Sequence, residues 1–233
     1  MQFQRLPWNA AIDIICVMEK NLKALVFDMD GVLLDSESIC DEIWELLARQ
    51  MGLPDIQAAI AENRGCNEAM MAKNLTVRYG PGFDCPKFFS DFRVYFTEVE
   101  RSRGIPLLPQ VCETLDYLKG RGYRLALATS TRRSVATRQL KAAGVWDFFE
   151  AQAFGDEVER SKPAPDIYLK AARELGVEPG LCAGIEDSPN GIKSVFAAGF
   201  KAIMVPDRME PSDEIKKLCW KIGKPLSTLR EFL

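Results

Sequence analysis

Two hydrophobic rhythms alternate along much of the chain. Short apolar runs rich in β-formers occur at residues 24–27, 123–128, 151–154, 181–185 and 201–205. Helix-length amphipathic stretches separate the later ones, at 111–120, 133–143, 166–175 and 190–198. Strands that are apolar on both faces are covered on both faces. Their alternation with helices predicts an α/β fold with a doubly wound parallel sheet. Such sheets bind ligands at the carboxyl ends of their strands.

Between residues 36 and 103 the alternation stops. Residues 38–50, 67–78 and 85–100 read as consecutive helices, punctuated by Gly52, Pro54, Gly65, Gly80-Pro81-Gly82 and Gly104. The economical expectation is a core built from 18–35 and 104–233, interrupted by a helical insertion at 36–103. Residues 1–17 differ from the rest, and Met18 is a natural start just ahead of the first strand. An N-terminal extension is expected there; a segment packed on the core is the alternative.

Composition narrows the chemistry. With 47% hydrophobic residues among 233, the chain can bury a sizeable core. A net charge of -3 leaves no basic footprint for nucleic acid or an anionic membrane, so neither is expected as a partner. A phosphorylated ligand would have to be held by a few local cations or a metal. The chain contains no histidine, which excludes His-dependent triads and leaves acid–base work to carboxylates, Lys, Tyr or Cys. Seven cysteines without C-x-x-C spacing argue against a zinc site or a disulfide framework, and reduced thiols are expected. No apolar run approaches the roughly 20 residues that span a bilayer. The stretch 10–18 is broken by Asp13 and makes a poor signal peptide. A cytoplasmic monomer is expected.

The most informative segment is Phe27-Asp28-Met29-Asp30-Gly31-Val32, directly after the first apolar run. Two residues apart on extended chain, the carboxylates project to the same side. Phosphoryl transfer needs a nucleophile, a proton donor for the leaving oxygen and cations that screen crowded negative charge. Two carboxylates and a metal can supply all three. Asp and Gly also favour turns, so a plain strand-end turn would use the same residues.

The segment resembles motif I of the haloacid dehalogenase (HAD) superfamily, and three further stretches resemble the remaining motifs in order. Leu125-Ala126-Leu127-Ala128-Thr129-Ser130 is similar to motif II, Ser161-Lys162-Pro163-Ala164-Pro165-Asp166 to motif III and Gly184-Ile185-Glu186-Asp187-Ser188 to motif IV. Each stands at a predicted strand end. The run Asp-Gly-Val-Leu-Leu-Asp-Ser-Glu from Asp30 matches the phosphoglucomutase-like branch, whose Rossmann-like core carries a helical cap.

The resemblance implies a Mg²⁺-dependent phosphatase acting on a small phosphorylated metabolite, with Asp28 as nucleophile and Asp30 as general acid and base. Thr129 would bind a phosphoryl oxygen, and Thr131 or a neighbour would cap the following helix. Lys162 would neutralise charge. Asp28, Asp187 and the Asp30 carbonyl would hold the metal, with Glu186 ligating through water or orienting Lys162. Ser188 reads as a helix N-cap. Ser130 and Arg64 are candidate substrate contacts, with Lys73 and Arg101 as further cap candidates. A dehalogenase would have no use for Asp30. The same core could also serve a β-phosphoglucomutase-like transferase or an inactive binding module. Cys40 stands where several relatives of the mutase carry a cap-hinge His, and Glu68 falls near where the mutase has a phosphate-binding Arg, which favours hydrolysis.

Overall fold

Alternate side chains of the first strand enter two different apolar layers. Leu25 and Phe27 join one cluster, Ala24 and Val26 the other, and all four are fully buried. This strand, β1 (Ala24–Phe27), lies at the centre of the computed structural model, which describes residues 22–64, 66 and 68–233. The expected extension at 1–17 lies outside the described residues.

Five more strands follow: β2 (Arg124–Thr129), β3 (Ala151–Phe154), β4 (Cys182–Glu186), β5 (Lys201–Met204) and β6 (Lys221–Ile222). Every pairing is parallel, in the order β3-β2-β1-β4-β5-β6. The winding reverses beside β1, between β2 and β4, where open α/β sheets form their ligand crevice. Helices α5 (Val111–Gly120) and α6 (Arg133–Ala142) bury Leu115 and Leu140 in the Phe27 layer. On the other face, α7 (Asp166–Leu175) and α8 (Pro189–Ala197) bury Ile167 and Val195 beside Val26. Each large apolar side chain fully buried there contributes about 1.5–3 kcal/mol. The expected strands and helices of the core are all present, with bounds moved by a residue or two. The short β6 has no counterpart among the apolar runs, because a two-residue strand carries no periodicity.

Four consecutive helices separate β1 from α5: α1 (Ser36–Met51), α2 (Ile56–Asn63), α3 (Glu68–Tyr79) and α4 (Cys85–Arg103). Asp35 caps α1 by accepting from the Ser38 amide at 3.2 Å, and Gly52 ends it in the left-handed conformation. Asp84 caps α4 by accepting from the Lys87 amide at 2.9 Å. The early cap explains why α1 begins two residues before the periodicity. Helix α2 has no counterpart among the predicted helices: it is eight residues long and its N-cap makes no side-chain bond. Burial of Ala59 and Ile60, and an Asn63 side chain donating to the Ala59 carbonyl at 2.8 Å, stabilise it instead. Trp44 of α1 meets Phe88 of α4 edge-on, with ring centres 5.1 Å apart.

The helical segment leaves and rejoins the sheet at one place. Leu34 pairs antiparallel with Leu107. The Asp35 amide donates to the Pro106 carbonyl and the Leu108 amide to the Leu33 carbonyl, both at 2.9 Å. Among the described residues, no helix is long and apolar enough to cross a membrane.

Candidate active site

Asp28 follows β1 directly, and its amide still donates to the Ile185 carbonyl at 3.0 Å, which fixes it against β4. Its carboxylate faces Lys162. The Lys162 Nζ donates to Asp28 Oδ1 at 2.6 Å, to Glu186 Oε1 at 2.6 Å and to the Ala128 carbonyl at 3.0 Å. An ammonium has three protons, so this one is fully used and aimed. Three strand ends, those of β1, β2 and β4, thereby meet on one side chain.

Glu186 is completely buried and serves as the anchor. Oε1 also accepts from the Tyr168 hydroxyl at 2.8 Å, and Oε2 accepts from the Ser188 hydroxyl at 3.1 Å. Ser188 caps α8 as well, accepting from the Gly191 amide at 3.1 Å. Gly191 is required by close approach: a Cβ there would lie 1.8 Å from the Glu186 carboxyl carbon. Gly31 has φ +71°, and its Cβ would lie 2.4 Å from Asp187 Oδ2. Both glycines leave room for a carboxylate.

The cluster is crowded with negative charge. Burial pushes Asp28 up to about 7, against the pull of Lys162 and with help from Glu186 and Asp30. Burial, then repulsion from Glu186 and Asp28, pushes Asp187 up to about 9. Burial alone would lower Lys162, yet Asp28 and Glu186 hold its pKa above the ordinary lysine value. One ammonium therefore faces three carboxylates. Asp28, Glu186 and Asp187 each place an oxygen within 4.8 Å of the other two. That all-oxygen, electron-rich set fits Mg²⁺. Because Glu186 already accepts from three side chains, Asp28 and Asp187 are the better direct donors.

Asp30 stands two residues beyond Asp28, and its Oδ2 accepts from the Thr131 hydroxyl at 2.9 Å. The expectation that Thr131 caps the next helix is therefore corrected. Arg132 stands at the N-cap of α6 without a side-chain bond, and the Arg133 amide donates to Asp156 Oδ1 at 3.0 Å. The hydroxyl is drawn away by the carboxylate across the crevice. Thr129, at the end of β2, accepts from the Thr131 amide at 3.1 Å and is almost fully buried.

A cavity of about 700 Å³ opens between α1, α2, α3 and α4 and reaches Ser130 at the end of β2. Arg64 lines it, together with Glu37, Asp41, Glu68 and Arg93. Lys73 and Arg101 do not; both are exposed elsewhere on the helices. The sequence does not mark Thr131 or Tyr168 as carboxylate partners, since only packing reveals which carboxylate a hydroxyl meets.

A family profile described as haloacid dehalogenase-like hydrolase matches residues 22–199. The chain belongs to that family. This HAD-like chain is 33% identical over 220 residues to Protein CbbY of Rhodobacter capsulatus, covering 86% of the chain and 92% of the relative. It is 30% identical over 188 residues to a phosphorylated carbohydrates phosphatase of Thermotoga maritima, covering 78% and 84%. A solved Thermotoga maritima structure assigned as a β-phosphoglucomutase superposes with a TM-score of 0.76 at 28% identity, covering 91% of the HAD-like chain and all of the other.

Proposed function

We propose that this HAD-like hydrolase is a phosphatase of small phosphate monoesters, sugar phosphates among them, acting through an aspartyl-phosphate. The observation that carries the reading is the meeting of Asp28, Lys162, Glu186 and Asp187 at three adjacent strand ends, with Asp30 beside them. The HAD-like family and the relative named as a carbohydrate phosphate phosphatase support it.

In this reading an Asp28 carboxylate oxygen attacks phosphorus while Asp30 gives its proton to the departing alkoxide, releasing an alcohol. Asp30 then takes a proton from water, the water oxygen bonds to phosphorus, and the bond to Asp28 breaks to release phosphate. Lys162, held by Glu186 and the Ala128 carbonyl, keeps Asp28 oriented and offsets the charge of the phosphoryl group. Thr129 and Ser130 border the phosphoryl position from β2. Asp28, Asp187 and the Asp30 carbonyl would hold Mg²⁺, which when bound screens the phosphoryl oxygens. The four helices act as the cap over the site. The six described cysteines are unpaired, which supports a reducing, cytoplasmic setting, and we read the enzyme as a monomer.

The test is release of inorganic phosphate from a panel of sugar phosphates, nucleotides and phosphoglycolate, with Mg²⁺ present. A mutase is separated by following β-glucose 1-phosphate and a trace of its bisphosphate by phosphorus NMR. Clean conversion to the 6-phosphate without inorganic phosphate would overturn hydrolysis.

A further inference from the structure

Four consecutive residues after β3 grip the turn that carries Thr131. The chain leaves β3 at Phe154 and makes a single 3₁₀ turn at Gly155–Glu157. The Arg133 guanidinium lies over the Phe154 ring, its Cζ 4.4 Å from the ring centre. The Gly155 amide donates to the Thr131 carbonyl at 3.2 Å. Asp156 Oδ1 accepts from the Arg133 amide at 3.0 Å, and Glu157 Oε1 accepts from Arg133 Nε. Gly155 has no room for a side chain. A Cβ there would lie 2.0 Å from the Ser130 carbonyl oxygen, a backbone atom that cannot swing aside.

This clamp decides a competition for one hydroxyl. The first amides of a helix lack intrahelical acceptors, and a Thr hydroxyl just ahead of α6 would ordinarily accept from one of them. Arg132, at the N-cap, offers no such acceptor. Asp156 reaches in from the neighbouring loop and takes that role for the Arg133 amide. The Thr131 hydroxyl is left to donate to Asp30 Oδ2 at 2.9 Å. The Thr131 backbone is held at both ends of the residue. Its amide donates to Thr129 Oγ1 at 3.1 Å and its carbonyl accepts from Gly155, which sets the direction of its Cβ. Asp156 is exposed, so core packing does not require this contact.

We propose that the loop Phe154–Glu157 positions the proton donor, acting on Asp30 through Thr131, with Gly155 and Asp156 as its positioning residues. The proposal rests on the phosphatase reading, in which Asp30 protonates the leaving alkoxide. Strand β3 supplies none of the clustered carboxylates, and through this loop it bears on delivery of the proton.

Asp156→Ala removes the acceptor, whereas Asp156→Asn keeps one. With a sugar phosphate, Asp156→Ala should lower kcat by about 3–10-fold, with KM nearly unchanged and a smaller loss on p-nitrophenyl phosphate. Asp156→Asn should stay within about twofold of the unaltered enzyme, because the amide keeps its acceptor. In a Thr131→Val background Asp156→Ala should cause no further loss, since both act on one bond. Equal losses on the two substrates, or losses that multiply in the double variant, would overturn the proposal. The Thr131 methyl resonance, in protein with labelled threonine methyls, reads the contact without turnover. Asp156→Ala should move it toward its position in Asp30→Ala. A methyl unmoved by Asp156→Ala would overturn the clamp even in an inactive protein. Absence of phosphate release from every ester of the panel would overturn the phosphatase reading, while the resonance still judges the clamp.

Discussion

Thr131 and Asp30, 101 residues apart in sequence, meet through a hydrogen bond of 2.9 Å from the threonine hydroxyl to the aspartate Oδ2. The bond fixes the rotation of the carboxylate proposed to protonate the leaving group. Thr131→Val should lower kcat/KM by about 10–100-fold for alkyl phosphates, the worth of a hydrogen bond to a charged group. The loss should be smaller with p-nitrophenyl phosphate, whose leaving group needs little protonation, and Thr131→Ser should restore the rate. Equal losses on both substrates would mean that Thr131 has no part in proton transfer.

Asp28→Asn keeps the size of the side chain and removes the proposed nucleophile. Turnover should fall by roughly 10³-fold or more, with the circular dichroism spectrum preserved. Acid-quenched unaltered protein should carry acid-stable, base-labile phosphate after brief exposure to labelled substrate, and the variant should carry none. A near-normal rate in the variant would rule out covalent catalysis at this position.

Metal removal should silence the enzyme. Three carboxylates around one ammonium repel an incoming phosphate, so activity should vanish in EDTA and return with millimolar Mg²⁺. Ca²⁺ should inhibit, because its larger and looser shell displaces the nucleophile. Full turnover in EDTA would remove the metal assignment.

Gly191→Ala tests the anchor from below. The new methyl would enter the space of the Glu186 carboxylate, with a stability cost of about 1–3 kcal/mol for overpacking. Displacement of Glu186 also loosens Lys162, so kcat should drop well beyond what the lost stability explains at a temperature where the variant is folded. Urea unfolding and steady-state rates on the same sample give both numbers.

The sheet and the carboxylate cluster are legible in sequence because each rests on a local pattern. Lys162 stands out between prolines, and Glu186 and Asp187 are charges at the end of an apolar run. The register of β1 with β2 and β4 then brings those strand ends level. What local pattern does not contain is the partner of a polar side chain. Arg64 is readable as a cap cation, but its engagement by Asp41, 23 residues away, is not. Tyr168 looks like any apolar-face residue of α7, yet its hydroxyl reaches Glu186. Helix α2 is hidden for a related reason, since its order comes from packing against neighbours more than from its own eight residues.

The pairing of Leu34 with Leu107 brings the two ends of the helical insertion side by side. A short turn could join them, so the sheet would remain a continuous chain with all four helices cut out, and equally with another set spliced in. On the proposed function, residues that choose the alcohol are therefore free to drift, shrink or be traded wholesale, while the strand ends that would handle phosphorus keep their register. One catalytic chassis can serve many tastes in substrate for that reason.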